Sequence, residues 1–257
     1  MIENIPDLRT IAHAPFVTPS PLERYRSGPI RRATHGAMTL ISAGESGPDF
    51  NQAVILGPVR PADVFTLAET FFRDSGGYSI VIEVETSGLV EREAQRRGWR
   101  LDEEEPALVL APLPPVPPPP PPGLAIRQVV DAAGLADFRG VSETPSRFLP
   151  TLAVALDPAV ALLVGYVAER PVATARLSCL GAILDVMGVV TVPAMRRRGY
   201  GTALTWAAVA AGQARGCIAA TLTSTALGYP VYLGMGFQPA GVYRTYRPVE
   251  LGSDVSL

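Results

Sequence analysis

Two hydrophobic periods run along this chain. In "MTLIS" (Met38–Ser42), "NQAVILG" (Asn51–Gly57), "YSIVIEVE" (Tyr78–Glu85) and "ALVLAP" (Ala107–Pro112) the apolar positions are contiguous or alternate over short stretches, as strands buried on one or both faces require. Between them, "ADVFTLAETFFRD" (Ala62–Asp74) and "GLVEREAQRRG" (Gly88–Gly98) return an apolar residue every three or four positions, which predicts helices with one buried face. Strand and helix therefore alternate, the order of an α/β half-domain.

"APLPPVPPPPPPG" (Ala111–Gly123) breaks the pattern, because proline donates no backbone hydrogen bond and its ring clashes with a preceding helical turn. Such a run extends as polyproline II, about 3.1 Å per residue, and works as a semi-rigid spacer. It also has the composition that proline-recognition modules bind. Taken as a boundary, it divides the chain into residues 1–111, a linker 112–123 and residues 124–257.

Beyond it, "LAIRQVV" (Leu124–Val130) predicts a strand, and "AAGLADFRGV" (Ala132–Val141) and "SRFLPTLAVAL" (Ser146–Leu156) predict helices. "VALLVGYVAE" and "PVATARLSCL" form a hairpin turning at Glu169-Arg170. "ILDVMGVVTV" (Ile183–Val192) is a strand, "GTALTWAAVAAGQAR" (Gly201–Arg215) a helix, "CIAATLTS" (Cys217–Ser224) a strand, "YPVYLGM" (Tyr229–Met235) a short helix and "GVYRTYRP" (Gly241–Pro248) a last strand. The two halves share their later order of elements, which suggests a duplication.

Composition narrows the chemistry. The 257 residues carry a net charge of −2, with no basic footprint for nucleic acid. All 22 basic residues are arginine. Without lysine there is no Walker phosphate loop, no kinase-type phosphate lysine and no Schiff base. Cys179 and Cys217 lack the paired spacing of a zinc site, and His13 and His35 are far from both in sequence, so no metal is expected. "MIENIPDLRT" does not read as a signal peptide, and no apolar stretch is long enough to span a bilayer. The expectation is a cytoplasmic protein without a membrane partner, monomeric or homodimeric.

The sharpest local signal is "TVPAMRRRGYGTAL" (Thr191–Leu204), where a buried strand gives way to a helix. The first N–H groups of that helix and its positive dipole end favour an anion. Gly199 and Gly201 let backbone approach it, and Arg196, Arg197 and Arg198 add positive charge. A tight turn with solvated arginines is the plainer reading. A dinucleotide-binding turn fails, since the third glycine of that pattern would fall on Leu204.

The spacing Arg196-x-x-Gly199-x-Gly201 after "TVP" resembles motif A of the GNAT superfamily of acyl-CoA N-acyltransferases. "GYVAERPVATARL" resembles the central hairpin of that family, "LDVMGVVTVP" its bulged strand, and "TSTALGYPVYLGMGF" its motif B, with Tyr232 shortly before Gly236-Phe237. The resemblance spans Leu124 to about Pro248. It implies a mixed central sheet flanked by helices and an acetyl group carried from acetyl-CoA to an acceptor amine, a small molecule rather than a protein.

By that resemblance the backbone of Val189, Val190 and Thr191 pairs with pantetheine. The N–H groups from Arg197 through Tyr200, Gly201 and Thr202 hold the pyrophosphate, and Thr225 stands where an asparagine often touches pantetheine. Tyr232 matches the tyrosine that protonates the departing thiolate, a fit of a phenol of pKa about 10 to a thiol of about 8.5. The alternative for Tyr232 is a core aromatic, and Tyr229 is the fallback acid. Asp185 matches the base of the histone-acetylating branch; the other reason for a carboxylate among apolar neighbours is a cross-strand pair with Arg176.

The first half has strand and helix where motif A would lie, but no glycine pair between them, and "EREAQRRGWRL" resembles the end of motif B. It reads as a degenerate GNAT-like repeat that binds no CoA, completing a tandem, or else as an unrelated α/β cap. The rivals to an enzyme are an acyl-CoA-binding regulatory module that has lost turnover and a scaffold for a protein partner.

Overall fold

The computed structural model describes residues 5–26, 28–85, 88–115, 117–142 and 150–249. Its strands are β1 (Arg31–His35), β2 (Met38–Ser42), β3 (Asn51–Ile55), β4 (Ser79–Glu83), β5 (Trp99–Leu110), β6 (Leu124–Gln128), β7 (Val160–Val167), β8 (Arg170–Leu180), β9 (Ile183–Thr191), β10 (Ala219–Thr223) and β11 (Gln238–Pro248). The helices are α1 (Leu8–Val17), α2 (Pro61–Phe71), α3 (Gly88–Arg96), α4 (Ala132–Val141), α5 (Leu152–Ala155), α6 (Tyr200–Gln213) and α7 (Tyr229–Gly234). Helix α4 matches its sequence reading residue for residue. Of the helix read over Ser146–Leu156, only Leu152–Ala155 is helical, and residues 146–149 lie outside the described residues.

The chain separates into two compact units, and not at the proline run. Unit 1 is Met1–Tyr25 with Ala107–Ala240; unit 2 is Arg26–Pro106 with Gly241–Leu257. A linear cut at 112–123 therefore misplaces four pieces: the first 25 residues, residues 107–111 and the proline run belong to the unit built by the second half, and the last strand from Gly241 onward belongs to the other. The reason is strand pairing. Tyr243–Tyr246 of β11 pair antiparallel with Glu83–Ile80 of β4, and Ala107–Leu110 of β5 pair antiparallel with Thr223–Ala220 of β10.

In unit 1 the end of β5 is followed by β10, β9, β8, β7 and β6, antiparallel except where β9 and β10 run parallel. Leu184 and Val186 of β9, with Ala173, Ala175 and Leu177 of β8, pack on one face against Ala203, Leu204, Ala208 and Val209 of α6. The opposite face buries Leu162, Val164 and Tyr166 against Leu135 and Phe138 of α4 and Val154 of α5. Helix α1 contacts β9 and β10. It went unread in the sequence although Asp7 caps it, accepting from Thr10 N at 3.0 Å, because Pro15 lies within it.

Unit 2 repeats the motif as β1, β2, β3, β4 and β11, with Phe65 and Ala68 of α2 and Val90 and Ala94 of α3 in its core. Asn51 is fully buried and donates to the carbonyls of Glu45, Gly47 and Ser75 while accepting from Ser42 Oγ, which pins the loop before β3.

Candidate active site

The site lies in unit 1, where β9 and β10 part. Their parallel pairing runs Ile183↔Ala219, Leu184↔Ala220, Asp185↔Thr221, and no further pair joins them among the described residues. Yet β9 continues to Thr191 and β10 to Thr223. The edge of β9 beyond Asp185 is thus turned toward an opening.

A bulge in β9 sets what faces it. Thr174 pairs with Val190 and Arg176 with Met187, so Gly188 and Val189 oppose Ala175 alone. Gly188 takes φ +58°, which a residue with a Cβ rarely adopts. The extra residue reverses the alternation of faces. Before it, Leu184 and Val186 face α6; after it, Val189 and Thr191 do, and an atom placed at the Cβ position of Gly201 would stand 3.7 Å from both Val189 Cγ1 and Thr191 Oγ1. Because Val192 N donates to Val172 O on β8, the alternation of backbone groups turns those of Thr191 and Val189 away from β8, toward the opening. Val190 and Thr191 both have Cα partners on β8, Thr174 and Ala173, but the same alternation turns the backbone groups of Val190, read from sequence as one of three pantetheine-pairing residues, toward β8.

Above the opening stands the start of α6. Gly199 caps it at φ +78° with no side-chain bond to the helix, which leaves the N–H groups of Tyr200, Gly201 and Thr202 open to an anion. The Tyr200 ring is buried in the core, so this residue serves through its backbone. Arg197 also has a left-handed backbone, φ +65°, and Arg197 and Arg198 are exposed. Arg196 is spent differently from the sequence reading: its Nε donates to Thr191 O at 2.9 Å, tying the turn to the end of β9.

Tyr232, on α7, is half-buried with its ring edge-on to Phe237, centroids 5.8 Å apart. Burial raises its hydroxyl above the usual 10, and a contact with Thr205 works against the shift. Thr205 was not singled out from sequence; it lies one helical turn after Gly201 and donates to Gly201 O at 3.0 Å. Tyr229 packs on the same core. Thr225 forms the turn into α7, its Oγ1 accepting from Gly228 N at 3.3 Å and keeping its own O–H free to donate.

Asp185 sits at the point of divergence on the face opposite α6, and is 8% exposed. Loss of solvent pushes its carboxyl up to about 7, with Arg176 pulling the other way as the smaller effect. Its direct cross-strand neighbours are Ser178 and Thr221, while Arg176 stands opposite Met187. Ser178 Oγ is buried with no hydrogen-bond partner among the described residues. Arg176 is thus the diagonal rather than the direct cross-strand neighbour of Asp185, and its charge acts on the carboxyl from the preceding strand.

Residues 133–237 match the model of the Acetyltransferase (GNAT) family. The chain contains a GNAT acetyltransferase domain. That match supports an acyltransferase, and the fold agrees with a solved structure over 98% of the chain. A GCN5-related N-acetyltransferase from Kribbella flavida is 22% identical, with 98% of each chain covered and a TM-score of 0.69. Another, from Sphaerobacter thermophilus, is 16% identical over 84% of this chain and 82% of that one, TM-score 0.59. A tandem GNAT protein from the clavulanic acid biosynthesis pathway is 12% identical over 93% of this chain and 92% of that one, TM-score 0.59. No curated protein matches. The tandem architecture holds, and unit 2 departs from unit 1 where the site would be: β3 and β4 stay paired through Ile55↔Ile82, at the last residue of β3, and β2–β3 carries no register shift. No helix among the described residues is long and apolar enough to cross a membrane.

Proposed function

We propose that this protein transfers an acetyl group from acetyl-CoA to a small-molecule amine at the opening between β9 and β10, without a covalent enzyme intermediate. The observation that carries the reading is the end of strand pairing at Asp185↔Thr221, together with a helix start without a side-chain cap that lies against Val189 and Thr191 further along the edge β10 has left. An extended pantetheine fits a strand edge left without a partner, and a pyrophosphate fits first-turn N–H groups flanked by Arg197 and Arg198.

Acetyl-CoA supplies an acyl carbon activated as a thioester. The chain's own residues do the rest. The backbone of Val189 and Thr191 lines the arm, and an N–H of this edge polarises the carbonyl oxygen. Asp185, poised near neutrality, takes the proton that an acceptor ammonium must lose before its nitrogen can attack. Tyr232, protonated throughout the physiological range, gives its proton to the sulfur as the carbon–sulfur bond breaks. Base and acid work from opposite faces of the sheet, so each proton has its own path. The two cysteines are not needed as nucleophiles.

The test is thiol release from acetyl-CoA by the full chain against a library of amines, amino acids and aminoglycosides. Amine-dependent release supports the reading. CoA binding without release for any amine would leave a binding module, and no CoA binding at all would overturn the site.

A further inference from the structure

The proline run is not a free spacer. Leu113 N donates to Ile218 O at 3.2 Å and its side chain packs on the core of unit 1. Gln213, the last residue of α6, donates from Nε2 to Pro114 O at 2.8 Å. At the other end of the run Pro121 O accepts from Leu124 N at 3.1 Å, and a side-chain carbon at Gly199 would meet Pro121 Cγ at 3.5 Å. The run therefore starts beside the carboxyl end of α6 and finishes against the turn at its amino end. The lengths agree: 14 residues of helix span about 21 Å, and the seven steps from Pro114 to Pro121 span about 22 Å as polyproline II. Pro118, Pro119 and Pro120, midway, are exposed.

From this we infer that the proline run is a brace for the anion turn, with Pro121 a positioning residue that holds Gly199 and the first N–H groups of α6 in the geometry a pyrophosphate needs. The inference rests on the acetyl-CoA reading above. The turn needs such support because Arg197 has a left-handed backbone, which a residue with a Cβ adopts at a cost, and Gly199 adds no side-chain cap. Proline suits a brace because the six consecutive prolines, 117–122, carry no N–H groups to satisfy, and their fixed φ makes the run resist bending. The brace lies outside the stretch 133–237 that matches the family model.

The experiment compares the full chain with Pro121→Gly and with a length-preserving triple variant, Pro118→Gly/Pro119→Ser/Pro120→Gly. Two acyl donors are used: acetyl-CoA, and S-acetylpantetheine, which lacks the phosphates. A brace predicts that both variants raise KM for acetyl-CoA about tenfold, since a turn no longer preorganised gives up part of its binding energy. Turnover at saturation stays near wild type, and kcat/KM for S-acetylpantetheine is unchanged. Pro121→Val, which restores bulk against Gly199, recovers most of the loss. Equal losses with both donors would mean general destabilisation and overturn the inference, as would unchanged KM for acetyl-CoA in both variants. Failure of the wild-type chain to bind CoA would instead overturn the underlying functional reading.

Discussion

Asp185 and Thr221 form the last pair between β9 and β10, and the strands separate immediately beyond them. A carboxyl group is thereby fixed at the apex of the opening, deprived of solvent, with its pKa pushed up to about 7.

Activity and stability should respond to this group in opposite directions. As a base Asp185 works only when ionised, so kcat/KM should rise with pH through about 7, and Asp185→Asn should lower it about 100-fold and remove that inflection. The unfolded carboxyl titrates near 3.9. Between that value and about 7 the folded state keeps a proton the unfolded chain has lost, so stability falls as pH rises through this window and levels off above it. Asp185→Asn removes the penalty, and its melting temperature should exceed wild type at pH 8, by an amount on the order of 1–3 kcal/mol in stability. A pH-independent rate in wild type would remove Asp185 from the mechanism.

Tyr232→Phe keeps the ring against Phe237 and loses the hydroxyl beside Thr205. A general acid lost from this position should lower kcat about 100-fold while CoA affinity stays within about twofold and stability drops by about 1 kcal/mol. The defect should shrink with donors whose thiols are more acidic, since such leaving groups need a proton less. Unchanged kcat would pass the role to Tyr229 or water.

Gly201→Glu should fold. The added Cβ finds ordinary contact distances of 3.7 Å to Val189 and Thr191, in a backbone conformation that any residue adopts in a helix. Its carboxylate would stand where the first-turn N–H groups meet an anion. Calorimetry should show CoA binding abolished, with circular dichroism unchanged.

Titration of the full chain should give one CoA per chain. In unit 2, β3 and β4 remain paired to the end of β3, which leaves no strand edge for pantetheine. Cutting the chain at Gly123 is not a substitute for this measurement, because unit 1 includes Met1–Tyr25 and the end of β5. Two sites would overturn the reading of unit 2 as an inactive repeat.

Local chemistry alone determined much of this protein. The period of Ala132–Val141 fixed α4, the alternating runs fixed the hairpin of β7 and β8, and the glycines at 199 and 201 marked the start of α6, because helix period, hairpin turns and left-handed backbone are properties of neighbours in sequence. The edge strand β1, with no buried residue, offered no such pattern and went unread. Tertiary structure decided the rest. Any strand can hydrogen-bond to any other, so nothing within "GVYRTYRP" says that β11 completes unit 2, and nothing within "ILDVMGVVTV" says that pairing with β10 stops at Asp185. The bulge at Gly188, which gives Val189 and Thr191 to the opening and Val190 to β8, exists only relative to a partner strand. The proline run read as a spacer from its own chemistry; its place along α6 depends on Gln213 and Gly199, residues far along the chain that only folding brings to it.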